Sequence, residues 1–275
     1  MFSPQWQAIQ REGHLAAEQL ASGVTILGRA DHAKKGLYTQ AFFALSIGIE
    51  RLAKLIVMAD FAVTNGGRYP TNQDLMRFGH DIATLLLRCE EISSRYRDGQ
   101  VQAIRPNGPI HQGIIAGVSE FGVLSRYYNL DFMVGGKAIT LPEPIGAWWR
   151  RVGMPILAKH YSKAQRQRDE GWATETAASM GPSFVLHHAE DTTPIDDAVT
   201  LMQRAMATRL VQKYGRLYTL HIIRWLAFLV SDLAELAAHR HRLDAFFGLG
   251  EPFVIFMNED DDYLSKRKTF SIYAG

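Results

Sequence analysis

QAFFALSIGIERLAKLIVMADFAV, running from Gln40 to Val63, is the stretch that decides the fold. It contains no proline and one internal glycine, Gly48. At 1.5 Å per residue it makes a helix roughly 36 Å long, enough to span a helical bundle. Phe42, Leu45, Ile49, Leu52, Ile56 and Val57 recur at the three-and-four spacing of one helix face, and Phe43, Ile47, Leu55 and Met58 widen that face. A surface this apolar needs neighbours on several sides, which predicts a central helix. Ser46, Glu50 and Lys54 form a polar line four residues apart, with Glu50 preceding Lys54 in the favourable order for a helical ion pair. Charges at Glu50, Arg51, Lys54 and Asp60 are costly in hydrocarbon, so the helix reads as protein core rather than membrane span.

The flanks support a bundle. Leu15, Leu20, Val24, Ile26 and Leu27 predict a first helix from about Gly13 to Gly28. The central helix should stop at Asn65, Gly66 and Gly67, and Pro70 prevents its resumption. A strongly amphipathic helix begins near His80 and Asp81, with Ile82, Leu85, Leu86, Cys89 and Ile92 on one face. Pro109 opens a fourth, marked by Ile110, Ile114, Ile115, Val118 and Phe121. Gly135, Gly136, Pro142 and Pro144 mark the best boundary, dividing the chain into residues 1–138 and 139–275.

The second half also reads as mainly α. Residues Ile145 to Asp169 predict a helix that Pro155 should kink or split. Between Glu143 and Asp169 no acidic residue occurs, while Arg150, Arg151, Lys159, Lys163, Arg166 and Arg168 alternate with Trp148, Trp149 and Tyr161. Such a segment suits nucleic-acid binding, cations holding phosphates and aromatics stacking on bases. Thr193, Pro194, Asp196 and Asp197 announce another helix start, and the apolar pattern to Leu236 makes either one very long helix or two joined near Gly215. FVIFM and TFSIYA, residues 253–257 and 269–274, predict a small terminal β-hairpin.

Composition narrows the classes. The 275 residues carry 47% hydrophobic content, ample for a core without staples, and a net charge of +2 that announces no particular partner. A single cysteine, Cys89, excludes an internal disulfide and any cysteine-based structural zinc site, and favours a cytoplasmic setting. The N-terminus lacks the pattern of a signal peptide. No phosphate-binding glycine loop, nucleophile elbow or HExxH motif occurs, so no cofactor is expected. His187, His188, Glu190 and Asp191 cluster, but no second cluster has ligand spacing, and no metal site is assigned.

The pattern A-x3-L-S-x-G-x-E-R-L-x-K-L over Ala41–Leu55, followed by a glycine loop and GHDIATLL at Gly79–Leu86, resembles HEPN domains, four-helix bundles of prokaryotic defence and toxin-antitoxin systems. SRYYNLD, Ser125 to Asp131, is similar to the segment that closes many members. The resemblance covers roughly residues 12–136. It implies either a metal-independent ribonuclease composed across a homodimer, or a non-catalytic module binding nucleic acid, a nucleotide or a partner protein. The ribonuclease signature is Arg, four to six residues, then His, an imidazole moving protons while a guanidinium holds the phosphate.

Two pairs here have that spacing, Arg105 with His111 and Arg216 with His221. With ten histidines and three permitted spacings, chance gives about two such pairs, so position must decide. Arg105 and His111 lie inside the resembling region and are the catalytic expectation, with Arg126. His221, amid Leu220, Ile222 and Ile223, reads more simply as a core histidine. At Arg126 the spacing leads to Asp131 instead of histidine, which weakens catalysis there. Tyr127, Asn129 and Asp131 complete the candidates at that corner.

Overall fold

The computed structural model describes residues 3–71, 73–74, 79–96, 104–123, 128–135, 142–181 and 185–272. Helix α1 spans Pro4–Leu27 and α2 spans Lys35–Thr64. Ser3 caps α1 by accepting from the Trp6 amide, with Pro4 in the first turn, so α1 begins nine residues before the expected Gly13. The two helices run antiparallel and nearly touch. A Cβ on Gly23 would fall 2.7 Å from Leu45 Cγ, and one on Gly48 would fall 2.8 Å from Leu20 Cγ. Each helix thus presents a glycine beneath the other's leucine.

Helix α2 is central, as its composition demands: seventeen of its thirty residues are buried, and it packs against α1, α3 (Ile82–Arg95), α4 (Pro109–Val123) and α9 (Ala198–Glu235). Gly66 and Gly67, both at positive φ, end it. Its polar line is used for assembly. Glu50 pairs with Lys54 at 2.8 Å and with His80 Nδ1 at 2.9 Å, fixing the approach to α3. Asp81 caps α3 by accepting from the Thr84 amide, and also accepts from Ser119 Oγ of α4 at 2.6 Å. Asp60, 4% exposed, accepts from Arg95 and Tyr96.

After α5 (Tyr128–Met133) the chain enters α6 (Pro144–Trp148), a π-helical segment (Trp149–Gly153) and α7 (Met154–His160). Pro155 does not split the helix: a π turn precedes it, and the proline sits in the first turn of α7. The chain breaks instead at Tyr161 and Ser162, and Ser162 caps α8 (Lys163–Met180). Helix α9 is one helix of 38 residues rather than two, and Gly215 lies within it against Ile156 and Trp148.

The fold is mainly α, with one small antiparallel sheet among the described residues. That sheet pairs β1 (His187–His188) with β2 (Pro194–Ile195), not the terminal segments. Residues Glu251–Phe256 form a 3-10 helix whose Pro252, Phe253 and Phe256 are buried, and α10 (Asp261–Lys266) follows. One continuous apolar cluster runs from Ile9 to Phe270. Side chains on both sides of the 138/139 division share it, and residues 136–141 themselves lie outside the described residues. Among the described residues no helix is long and apolar enough to cross a membrane.

Candidate anion-binding groove and histidine relay

The α1–α2 connection, the middle of α9 and the chain around the end of α10 enclose a groove of about 1030 Å³. Its walls carry Arg29 and Lys34 from the connection, Arg209, Lys213 and Arg216 from α9, and Lys266 and Lys268 from the C-terminal side. Against these seven cations stands one lining carboxylate, Asp31, which already accepts from the Ala33 and Lys34 amides and pairs with Lys34 Nζ at 3.4 Å. Gln212 Nε2 donates to Ala30 O at 3.0 Å and Arg29 to Thr269 Oγ1 at 3.3 Å, so the three walls are tied together. Lys266 in turn pairs with Asp262, and the remaining excess of positive charge concentrates anions.

Arg216 sits at its floor, 4% exposed. Nη2 donates to Ser265 O at 3.0 Å, Nε has no hydrogen-bond partner, and no carboxylate pairs with it among the described residues. Burial pulls its guanidinium below the ordinary arginine pKa. His32, on the wall made by the α1–α2 connection, is 9% exposed, and its Nδ1 has no hydrogen-bond partner among the described residues. Burial, outweighing the attraction of Glu190 and Asp31, lowers its pKa.

A second polar assembly joins α4, α9 and α10. His111 Nε2 lies 3.2 Å from His221 Nδ1, and His221 Nε2 lies 3.0 Å from Asp261 Oδ1. The Gly108 amide donates to His111 Nδ1 at 3.3 Å, which fixes the tautomers along the chain. His111 Nε2–H must donate to His221, and His221 Nε2–H must donate to Asp261. Arg224 Nη1 supports Asp261 at 3.2 Å. Burial first, then the neighbouring His221 and Lys159, pushes His111 down to about 4; burial also lowers His221. Every ring nitrogen of the pair is engaged, so the relay braces three elements and leaves no free imidazole nitrogen for a substrate proton.

The two expected Arg–His pairs are therefore regrouped. Arg105 Nη1 pairs with Glu90 of α3 at 2.8 Å, while its sequence partner His111 turns to α9. Arg216 serves the groove, while His221 joins His111. Arg126 and Tyr127 lie outside the described residues. Asn129 is exposed on α5, the helix that also carries Asp131.

In the basic segment, Trp148 and Trp149 are 1% and 2% exposed, so neither indole is open to a base. Arg151 pairs with Glu120 at 2.6 Å, Lys159 lies over the Tyr218 ring, and Arg166 lies over Tyr161. Arg150, Lys163 and Arg168 are exposed. Of the histidine–acid cluster, Glu190 points inward. It is held by Arg204 at 2.8 Å and by the Tyr38 and Thr208 hydroxyls, and Arg204 stacks on Trp149 at 3.7 Å.

Sequence reading missed Arg29, Lys34, Arg209, Lys213, Lys266 and Lys268 as members of one site. They come from three separated stretches with no run between them; the short SKRK at 265–268 was the visible signal. No family model, curated protein or solved structure matches the chain.

Proposed function

We propose that the protein binds RNA in the basic groove, as a non-catalytic HEPN-like module. The observation that carries this reading is the charge of the groove wall: among the described residues seven cations line it, and only Lys34, paired with Asp31, and Lys266, paired with Asp262, have a carboxylate partner. Among the described residues no exposed aromatic side chain lines the groove, so recognition falls on phosphates rather than bases. The resemblance of the first half to HEPN domains favours RNA over other polyanions. Full engagement of the His111 and His221 ring nitrogens, with Arg105 committed to Glu90, supports binding over cutting.

The test is anisotropy of a labelled single-stranded RNA over a salt series. Affinity should fall with salt at a slope of about −0.7 per phosphate neutralised. Arg209→Glu with Lys213→Glu should weaken binding at least about tenfold and flatten that slope. The parallel reversal of Lys163, Arg166 and Arg168 should have little effect. Equal loss in both variants would move the site to α8, and strand cleavage in EDTA would refute the non-catalytic part.

A further inference from the structure

The groove floor holds a charge that the protein does not balance. Arg216 is 4% exposed, makes one hydrogen bond, to a backbone carbonyl, and has no carboxylate partner among the described residues. A buried guanidinium without countercharge is costly, and it persists where a ligand supplies the charge. The chain makes specific room for it: a Cβ on Gly28 would lie 2.3 Å from Arg216 Nη1, so only glycine lets the end of α1 pass this close. By contrast, Arg209 and Lys268 stand exposed at the rim.

We infer that Arg216 forms the floor of an end subsite for a phosphomonoester, the terminal phosphate of the RNA strand whose backbone the rim cations hold. The inference rests on the groove reading above and adds what the floor selects. An internal phosphodiester carries one charge and is tethered on both sides, which keeps it at the rim. A terminal monoester carries up to two charges and is tethered once, so it can descend to a buried guanidinium and take charge-assisted hydrogen bonds there. Arginine suits the task because its fork engages two phosphate oxygens at once.

The test compares one oligoribonucleotide in three forms, with a 5′-phosphate, a 3′-phosphate or hydroxyls at both ends, alongside adenosine monophosphate as competitor. One phosphorylated form should bind about tenfold tighter than the hydroxyl form, and the monophosphate should compete with that advantage. Arg216→Met should cost the phosphorylated strand about tenfold and the hydroxyl strand no more than about twofold. Arg216→Lys, which keeps the charge and loses the fork, should fall between, and it stands in if the methionine variant does not fold. Arg209→Ala should weaken all strands alike.

Equal binding of the three forms by the native protein would overturn the end subsite and leave the groove reading standing. So would a phosphate preference that survives both Arg216 variants. Binding of the monophosphate with no RNA binding at all would overturn the RNA source and the groove reading together.

Discussion

His111 Nε2 approaches His221 Nδ1 to 3.2 Å, joining residues 110 positions apart. The contact needs His221 Nδ1 unprotonated, because that atom must accept what His111 donates. A proton added to His111 has to go to Nδ1, which keeps the bond to His221 but strands the Gly108 amide.

This geometry fixes the sign of a pH dependence. The folded pKa of His111, about 4, lies below its ordinary 6.5. Between those values the unfolded chain binds a proton that the folded chain refuses, so stability is fully present above the ordinary value and declines as pH falls toward the folded one. With allowance for partial solvent contact, the loss by pH 5 should be on the order of 1 kcal/mol. Urea denaturation of native protein and His111→Gln across this range checks it. The variant's stability should fall less between neutral and pH 5; an unchanged slope would refute the assignment.

Glu190 offers a second test, because its carboxylate is fully buried beside Arg204. Removing one member of such a pair leaves the other uncompensated. Glu190→Ala should cost about 3 kcal/mol, while the shape-preserving Glu190→Gln should cost less. Chemical denaturation at neutral pH gives both values. A cost below about 0.5 kcal/mol for the alanine variant would show that Asp191, 3.5 Å from Arg204, and the Trp149 ring support the guanidinium without Glu190.

How much of this was legible follows from what each feature depends on. The α2 helix was readable because its apolar spacing and glycine stop are local, and α3 because Asp81 and the face from Ile82 to Ile92 are too. The first nine residues of α1 are poorly legible because the apolar residues that mark the helix begin at Leu15; in the fold Gly13 lies inside the helix and packs against Leu249. The terminal hairpin was misplaced because FVIFM has a strand's composition. Pro252 and the turn glycines before it set a 3-10 path instead. The site was least legible. Arg–His spacing along the chain is silent about partners on other helices, and the groove gathers cations from both ends of the sequence.

Cys89 should be inert in the native protein. Its thiol is buried, burial pushes its pKa up, and Sγ faces the Ala53 carbonyl at 3.9 Å. A thiolate is the reactive form, so both access and ionisation oppose modification. Labelling with a thiol reagent should proceed only as fast as α3 opens from α2, and rise to completion in denaturant. Rapid stoichiometric labelling under native conditions would contradict this packing.

Gly48 sets helix propensity against packing on the central helix itself. In an exposed helix, alanine would stabilise over glycine by about 1 kcal/mol. Here a Cβ would stand 2.8 Å from Leu20 Cγ and 3.0 Å from the Leu20 backbone nitrogen. The leucine tip can turn aside, but the backbone nitrogen cannot, so α1 and α2 would have to separate where the reciprocal Gly23–Leu45 contact also sits. Overpacking of this kind costs about 1–3 kcal/mol, which outweighs the propensity gain. Gly48→Ala should therefore destabilise by roughly 1–2 kcal/mol, and Gly48→Ala with Leu20→Ala should cost less than the sum of the single changes. Gly36, with nothing within 4 Å of its Cβ position, is the control: Gly36→Ala should be neutral or stabilising. Denaturation midpoints of the four variants decide the matter, and a stabilised Gly48→Ala would mean that the two helices do not meet at this crossing.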